Sequence, residues 1–265
     1  MRAKKSKSRN NNTRIAIFFF VFIVIVFLIS FFLKAALVIK HGKFDSNNRF
    51  TISVSSKGTF KLISFSPTGS ISILKLDGNI KKEDINKFLQ IPIDGEISQI
   101  VNDNEKIPTL MKDALFGYKD IKTDLTIIDI LRLFLFSRNV SPNLIYSKNV
   151  SADMSAGEVD KIVSSLFQDA SVQKENMAIE IINGTDVTGL GNRLARLITN
   201  MGANVIIVGT SDVPEETSVI SYSKKNYTVE KLGKLLGFKL VKKDKRELAN
   251  ITITIGKDGL SKLHF

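Results

Sequence analysis

The sequence contains no cysteine, which excludes disulfides, zinc–thiolate sites and thiol catalysis. It contains only two histidines, His41 and His264, at opposite edges of the region beyond the N-terminal apolar run. A histidine-based catalytic triad or metal cluster needs such residues gathered in one place. We therefore predict no resident metal ion and no cofactor, and the residues alone name no reaction.

Acidic residues are absent from the first fourteen positions, which carry six Lys and Arg residues. The 265-residue chain has 38 Lys and Arg residues against 26 Asp and Glu residues, a net charge of +12. Beyond residue 40 the two counts are 30 and 26, so the body of the protein is only mildly basic. Because nucleic-acid binding requires positive charge clustered on a folded face, we predict no nucleic-acid partner.

Charge is also absent from a long apolar run, Ile15–Leu33, which holds 19 residues. As an α-helix the run would span roughly 28 Å, close to the ~30 Å hydrocarbon core of a bilayer. The alternative is a cleaved signal peptide, whose apolar region has ~7–15 residues before a small-x-small cleavage site. Here the run is longer and Ala35-Ala36 matches that site poorly, so we predict a retained transmembrane anchor over residues 15–38.

The basic arm, residues 1–14, predicts the orientation of this anchor. By the positive-inside rule it places the N-terminus in the cytoplasm. Residues 39–50 are mostly polar and are predicted to form a tether. The rest of the chain would then lie outside the cytoplasm. This predicts a single-pass protein of the cell membrane with an extracytoplasmic body.

The pattern of residues 51–150 predicts a small α+β domain. Alternating apolar positions predict strands over 59–65 and 70–76, joined by a Ser-Pro-Thr-Gly turn. A short helix is predicted over Lys82–Gln90, and a longer one over Thr126–Phe136, which opens with a Thr126/Asp129 capping pair. The longer helix is apolar almost all round and too short to span a bilayer, which favours burial in the domain over contact with the membrane surface.

Four acidic residues surround the segment before this longer helix. They are Asp113, Asp120, Asp124 and Asp129. Only Asp120 and Asp124 have the spacing that puts two residues on one helix face. A carboxylate pair for glycoside hydrolysis or a metal site is one interpretation, and solvated loop acids are the other.

Residues 151–176 are predicted to be a helical connector, with a Ser155/Glu158 capping box before helically spaced apolar residues. Residues 177–265 predict a second α+β module of β-α-β-β-α-β order. Its predicted strands are 178–182, 204–208, 217–222, 238–241 and 251–255, and its predicted helices are 189–201 and 227–236. The predicted fold class is therefore α+β, with one N-terminal transmembrane helix followed by two small domains.

The turn after the first strand of this module is a candidate ligand site. Gly184–Gly191 follows a strand and opens a helix, as nucleotide-binding loops do. However, Leu190 replaces the phosphate-loop Lys, and Leu194 replaces the third Gly of the dinucleotide pattern. Two interpretations remain: a turn in which Gly permits close packing, or free helix-start amides that hold an anionic group. The predicted ligand-binding residues are Asn183, Gly184, Thr185, Gly189, Gly191 and Arg193.

Separated blocks of this module resemble the C-terminal domain of LytR-type cell-envelope proteins. The blocks are Ile179–Thr185 (IEIINGT), Gly189–Gly191 (GLG), Asn200–Val205 (NMGANV), Thr217–Ile220 (TSVI) and Ile253–Asp258 (ITIGKD). The resemblance covers about 80 residues, from 178 to 258. It implies an extracytoplasmic module of bacterial envelope proteins that binds rather than catalyses, with no established catalytic residues.

In that family the module often follows a LytR–CpsA–Psr domain, which transfers polyprenyl-linked glycopolymers to peptidoglycan with Asp and Arg residues and a divalent metal. The first half of this chain is faintly similar, but Gly58, Gly78 and Asn79 stand where the family has Asp, Arg and Asp. The Arg residues between positions 45 and 150 are Arg49, Arg132 and Arg138. Without an Arg cluster a pyrophosphate has no charge partner. Two interpretations follow for residues 51–150: a degenerate, non-catalytic relative, or a member of the family whose active residues align at other positions. The resemblance transfers no active residue to this half.

We predict a non-enzymatic protein that binds or organises cell-wall polymer or envelope partners at the membrane. The expected partners are the membrane through residues 15–38, peptidoglycan or an anionic glycopolymer, and other envelope proteins. The alternative is an active LytR–CpsA–Psr-type transferase, which would depend on a divalent metal and on Asp77 or Asp94.

Overall fold

The structure is a computed structural model that describes residues 9–56, 59–77, 88–100, 106–243 and 248–263. Its contacts divide the chain into two compact units, residues 1–42 and 43–265. The first unit contains helix α1, Arg9–Lys40. Within α1, the segment Thr13–Lys34 has 22 residues and a mean hydropathy of 3.3, with none of its most apolar part buried. By length and composition α1 can cross a membrane, and it is the one such helix in the described part of the chain.

The first sheet of the second unit has six strands in the order β5-β4-β1-β2-β3-β6. The strands are β1 (Phe50–Ser56), β2 (Thr59–Ser66), β3 (Ser70–Asp77), β4 (Gly95–Ser98), β5 (Lys122–Thr123) and β6 (Ile145–Ser151). Strands β1, β2 and β3 form an antiparallel meander, with β4 parallel to β1 and β6 parallel to β3. The two strands predicted in this half are confirmed as β2 and β3, each one residue longer than predicted.

Two helices, α2 (Ile107–Phe116) and α3 (Ile127–Arg138), cover one face of this sheet. The predicted capping pair is confirmed, because Thr126 Oγ1 accepts from Asp129 N at 3.1 Å and Thr126 N donates to Asp129 Oδ2 at 2.9 Å. Edge-to-face aromatic contacts fill the space between α3 and the sheet. The rings belong to Phe44, Phe50, Phe65 and Phe136.

The predicted tether, residues 39–50, ends earlier than expected. Phe44 lies in this aromatic cluster and is buried, so the folded body already begins at Lys43. The segment was predicted to be a tether because most of its residues are polar. The burial of one large aromatic ring, that of Phe44, nevertheless holds the end of the segment against the body. The predicted helix over Lys82–Gln90 lies largely outside the described residues, and only Phe88 and Leu89 are seen to be helical.

The other face of the first sheet is covered by the predicted connector, which contains two helices, α4 (Ala156–Phe167) and α5 (Ala170–Glu175). The Ser155/Glu158 capping box of α4 is confirmed. Leu62 and Leu74 of the sheet pack against Val159 and Val163 of α4, and all four side chains are fully buried. The first sheet is therefore a central layer between two helical layers.

The second sheet has five strands in the order β10-β9-β11-β7-β8. Its elements are β7 (Ala178–Asn183), α6 (Leu190–Asn200), β8 (Asn204–Thr210), β9 (Val219–Tyr222), α7 (Tyr227–Leu236), β10 (Lys239–Lys242) and β11 (Ile251–Ile255). Strands β7, β8 and β11 are parallel, β9 is antiparallel to β11, and β10 is parallel to β9. The predicted α+β class is confirmed, and the order of elements roughly fits the predicted β-α-β-β-α-β module.

Helices α6 and α7 bury their apolar stripes in one core with the second sheet. Leu194 and Ile198 of α6 and Leu232 of α7 are fully buried beside Ile181 and Ile253. Both sheets belong to one compact unit. The division of the body at residues 150 and 177 therefore stays a prediction.

Strand β8 lies at an edge of the second sheet and contains a bulge. Val205 pairs with Ile179 and Ile207 pairs with Glu180, so that Ile206 is an extra residue without a partner across the β7–β8 ladder. An extra residue of this kind increases the local twist of the strand.

Candidate functional site

The structure brings most of the predicted ligand-binding residues together in the turn between β7 and α6. Asn183 ends the strand, Gly184 and Thr185 follow it, and all three are buried, while Gly189 caps the start of the helix with φ +77°. Gly191 is also buried, and a Cβ atom added there would lie 3.0 Å from Val208 Cγ1. The glycine therefore permits the close packing of α6 on β8, which was one of the two interpretations of this loop.

Polar groups of this turn bond to one another. Asn183 Oδ1 accepts from Thr185 N at 3.1 Å and from Thr185 Oγ1 at 2.8 Å. Asn183 Nδ2 donates to the carbonyl of Val187 at 3.0 Å. The backbone of Gly184 is held on both sides, because its N–H donates to the Ile255 carbonyl and its carbonyl accepts from Glu215 N. These bonds shape the turn and satisfy side chains that were predicted to hold a ligand.

Charges of both signs lie near this turn. Asp186 is exposed within it, and Arg193 is half-buried in the first part of α6. The carboxylate of Glu216, and more weakly that of Asp186, raise the pKa of Lys257. An anionic group at the start of α6 would thus meet acidic neighbours as well as Arg193. The assignment of these six residues to a ligand stays a prediction.

Sequence reasoning missed a basic groove at the other end of the second sheet. Between residues 224 and 243 the chain carries seven Lys residues and one acidic residue, Glu230. Most of these lysines are exposed, namely Lys224, Lys225, Lys234, Lys239 and Lys242. The recurrence of Lys through α7 and β10 was the available signal, and it was hidden by averaging the charge over the whole body.

The groove has a volume of about 410 Å³. Its lining residues are Lys225, Glu230, Gly233, Lys234, Phe238 and Leu240. Lys225 Nζ lies 3.3 Å from Glu230 Oε1, so these two lining residues form an ion pair. The other basic residue in the lining is Lys234. An apolar floor with cations at its rim can hold a polymer that has both a sugar face and anionic groups.

A second missed feature is a polar contact between the two sheets. Lys231 of α7 reaches Asp94, the residue before β4, with Nζ 3.1 Å from Oδ1. Lys231 Nζ also donates to the Arg49 carbonyl at 2.9 Å, and Asp94 Oδ2 accepts from Thr51 N at 2.9 Å. Burial raises the pKa of Asp94, and the positive charge of Lys231 opposes that rise.

Further charged and polar groups surround this ion pair. Arg49 Nη1 donates to Ser64 Oγ at 3.0 Å and to the Leu166 carbonyl at 2.8 Å. Tyr227 Oη donates to Asp169 Oδ2 at 2.7 Å. Burial, the hydrogen bond to Asp169 and its negative charge together raise the pKa of Tyr227. Perturbed groups of this kind occur both at functional sites and in structural networks.

Helix α6 makes a separate contact with the first half. Arg196 Nε lies 2.7 and 2.9 Å from the two carboxylate oxygens of Asp160 on α4. Asn200 Nδ2 donates to the Leu89 carbonyl at 3.3 Å and to the Gln90 carbonyl at 3.1 Å. The two sheets are therefore joined through polar contacts of both α6 and α7.

Asp124, just before α3, and Asp129, in its first turn, hold the start of the body in place. Asp129 Oδ1 accepts from Lys43 N and from Phe44 N, each at 2.9 Å. Asp124 Oδ2 lies 2.6 Å from Lys43 Nζ, while its Oδ1 accepts from Glu96 N. Within the described ranges, no group of three or more His, Cys, Asp or Glu residues could hold a metal ion.

The Arg residues of the first half point to separate partners. Arg132 donates to the Phe44 carbonyl at 3.5 Å, and Arg138 lies over the Phe134 ring at 5.6 Å, whereas Arg49 belongs to the contact between the sheets. Asp77 ends β3, and Gly58, Gly78 and Asn79 lie outside the described residues.

The segment that forms the second sheet matches the model of a known family. Residues 176–258 match the family model described as LytR cell envelope-related transcriptional attenuator. No curated protein sequence matches the chain significantly. Among solved structures, the transcriptional regulator YvhJ from Bacillus subtilis is 12% identical with a TM-score of 0.34, over 44% of this chain and 94% of that one. TagV from B. subtilis is 9% identical with a TM-score of 0.34, over 45% and 96%. The second sheet with α6 and α7 is therefore a domain similar to the LytR C-terminal domain of a cell-envelope family, as the sequence predicts.

Proposed function

We propose that this chain is a membrane-anchored bacterial envelope protein whose extracytoplasmic body binds or organises wall polymer without catalysing a reaction. The observation that carries this proposal is the lysine-lined groove on the domain that matches a cell-envelope family. Anionic glycopolymer is the ligand class that fits it, because Lys225 and Lys234 lie beside apolar surface from Phe238 and Leu240.

Anchoring by α1 supports the same proposal. The helix presents an uncovered apolar surface of suitable length, and the basic residues before it favour a cytoplasmic N-terminus. The body would then face the wall, where peptidoglycan, anionic glycopolymers and other envelope proteins are its candidate partners.

The absence of catalysis is part of the proposal. Asp94, on which the transferase alternative would depend, is engaged by Lys231 and by Thr51 N at the contact between the sheets. Such a carboxylate is held by the protein itself, which favours a structural role. Metal-dependent transfer of glycopolymer by the purified chain, lost on Asp77→Asn, would contradict this part.

The test is sedimentation of the full chain, in detergent micelles, with purified cell-wall sacculi across a salt series. We expect retention that weakens with salt but persists. Replacing Lys225 and Lys234 together by Gln should weaken retention about fivefold, since two exposed charge contacts of about 0.5 kcal/mol each are lost.

A matched control variant carries the same change in net charge elsewhere. Lys112 and Lys119 are exposed residues of the first half, and their joint replacement by Gln should leave retention unchanged. Equal losses in the two double variants would assign binding to overall charge rather than to the groove. No retention at any salt concentration would remove the wall as ligand.

A further inference from the structure

The outward side of α3 is apolar and carries no acidic residue. Ile127, Leu131 and Leu135 follow each other at four-residue spacing and are 43%, 39% and 47% exposed. The exposed charged residues of this helix are Arg132 and Arg138. A surface helix of a soluble domain usually presents polar residues on this side. The stripe is therefore free to meet an apolar partner.

The core does not need this stripe. The opposite side of α3 already fills the core, with Ile130 and Leu133 fully buried. Another large apolar side chain, Phe116, is 81% exposed at the end of α2. Tyr118 Oη donates to the Leu125 carbonyl at 3.0 Å, which places the end of α2 beside the start of α3.

The short chain segment between α1 and the body indicates that the apolar partner of the stripe is the membrane. Asp129, in the first turn of α3, binds the backbone N–H groups of Lys43 and Phe44. Helix α1 ends at Lys40, and three extended residues reach at most about 10 Å. Where α1 spans a bilayer, the chain therefore keeps the first turn of α3 close to the lipid surface.

We propose that the stripe formed by Ile127, Leu131 and Leu135 docks the body on the lipid surface from which α1 emerges, with Arg132 and Arg138 against anionic headgroups. Helices with an apolar face and basic flanks lie in this way at the membrane interface. The inference rests on the anchoring part of the proposed function and is separate from polymer binding.

The absence of cysteine allows a direct test with single-cysteine variants of the full chain. Leu131→Cys and Leu135→Cys carry an environment-sensitive fluorophore, and the protein is reconstituted into vesicles that contain anionic phospholipid and a lipid with brominated acyl chains. Val24→Cys reports insertion of α1, and Val213→Cys, 67% exposed in the second half, is the matched control. We expect quenching at positions 24, 131 and 135 and none at 213.

Three other results overturn the inference. Quenching at position 24 alone would leave anchoring intact and remove docking, while quenching at none of the positions would remove both. A shift of emission at position 131 that follows protein concentration rather than brominated lipid would assign the stripe to a second copy of the chain.

A variant with Arg132→Gln and Arg138→Gln tests the role of charge. In anionic vesicles its quenching at position 131 should fall at least twofold, and in zwitterionic vesicles it should equal that of the parent. Equal quenching in anionic vesicles would overturn the role of the two Arg residues. Sacculus retention of the same proteins is measured separately, so that loss of polymer binding with quenching intact would refute the proposed function alone.

Discussion

Lys231 and Asp94 form an ion pair across 137 residues of sequence, with Nζ 3.1 Å from Oδ1. The pair joins α7, beneath the second sheet, to the segment that leads into β4 of the first sheet. Both side chains are largely buried, and each has a further hydrogen bond, Lys231 to the Arg49 carbonyl and Asp94 to Thr51 N. This contact ties the domain similar to the LytR C-terminal domain to the rest of the body.

Replacing Lys231 by Met should lower the free energy of unfolding by about 3 kcal/mol, because the largely buried carboxylate of Asp94 is left unpaired. Urea unfolding of the full chain in micelles, followed by circular dichroism, measures the change. Lys234→Met on the exposed side of the same helix is the control and should change stability by less than about 0.5 kcal/mol. Adding Asp94→Asn to Lys231→Met should recover part of the loss. A double variant less stable than the single one would contradict this account.

The phenol of Tyr227 should make stability depend on pH in the alkaline range. Its pKa in the folded protein is raised above the ordinary value of 10.0, by burial first and then by Asp169. As the pH rises past about 10, the unfolded chain releases this proton and the folded chain retains it, so the free energy of unfolding falls. Tyr227→Phe should flatten that fall between about pH 10 and 11, although loss of the hydrogen bond costs about 1 kcal/mol at neutral pH.

The control for this pH profile is Tyr146→Phe on the edge strand β6, where the ring is half-exposed. Unfolding of the three proteins is compared at a series of pH values. An unchanged alkaline slope in Tyr227→Phe would show that this phenol does not set the pH dependence.

Local signals account for the elements that the sequence predicted well. The helices α3 and α4 begin at Ser or Thr residues with an acid three positions later, and both capping boxes form as expected. In the second module, Leu190, Leu194 and Leu197 mark one face of α6, and Gly237, with φ +64°, ends α7.

Strand β1 shows a pattern that could have been recognised. Phe50, Ile52 and Val54 alternate with Ser and Thr residues, which is the two-residue period of a strand, but no strand was predicted there and Phe50 was assigned to the tether. Thr51 and Ser53 are buried because the second face of the sheet is also covered. The connector helix that covers this face was predicted, but its position against the sheet was not.

The contact between the sheets could not be predicted. Asp94, Asp169 and Lys231 lie far apart in the sequence, and each resembles an ordinary surface residue. Their meeting depends on how two sheets pack, which is a property of the whole fold rather than of any window of residues. The groove differs in this respect, because α7 and β10 follow each other in the sequence and their recurrent Lys residues were an available signal.

Asp129 should be one of the most sensitive positions of the first half. Asp129→Ala removes the acceptor of four hydrogen bonds, from Lys43 N, Phe44 N, Thr126 N and Thr126 Oγ1. We expect a loss of about 3 kcal/mol in the free energy of unfolding, because buried donors are left without a partner. Asp120→Ala changes an exposed acid of the preceding loop and should cost less than about 0.5 kcal/mol. Equal effects in urea unfolding would show that Asp129 does not hold the start of the body.

Two glycines should respond in opposite directions to substitution by Ala. A Cβ atom at Gly184 would lie 2.6 Å from Glu215 Cβ and 2.9 Å from the Ile255 carbonyl oxygen, so Gly184→Ala should destabilise the protein by about 1–3 kcal/mol. Gly157 lies in α4 with nothing within 4 Å of such an atom, and Gly157→Ala should stabilise by about 0.5–1 kcal/mol. Thermal unfolding of both variants tests the comparison, and a stable Gly184→Ala protein would indicate that the β7–α6 turn can rearrange.

The bulge at Ile206 bears on how the protein avoids joining its own copies. Strand β8 is an edge strand of seven residues, and its Ile206, Ile207 and Val208 are exposed. A regular edge strand with such exposed apolar residues can pair with a strand of a neighbouring chain. The extra residue breaks the even spacing of donors and acceptors along that edge. If α1 anchors the chain in a membrane as proposed, copies of the chain would meet edge to edge more often than in free solution, and an irregular edge strand would disfavour pairing between them.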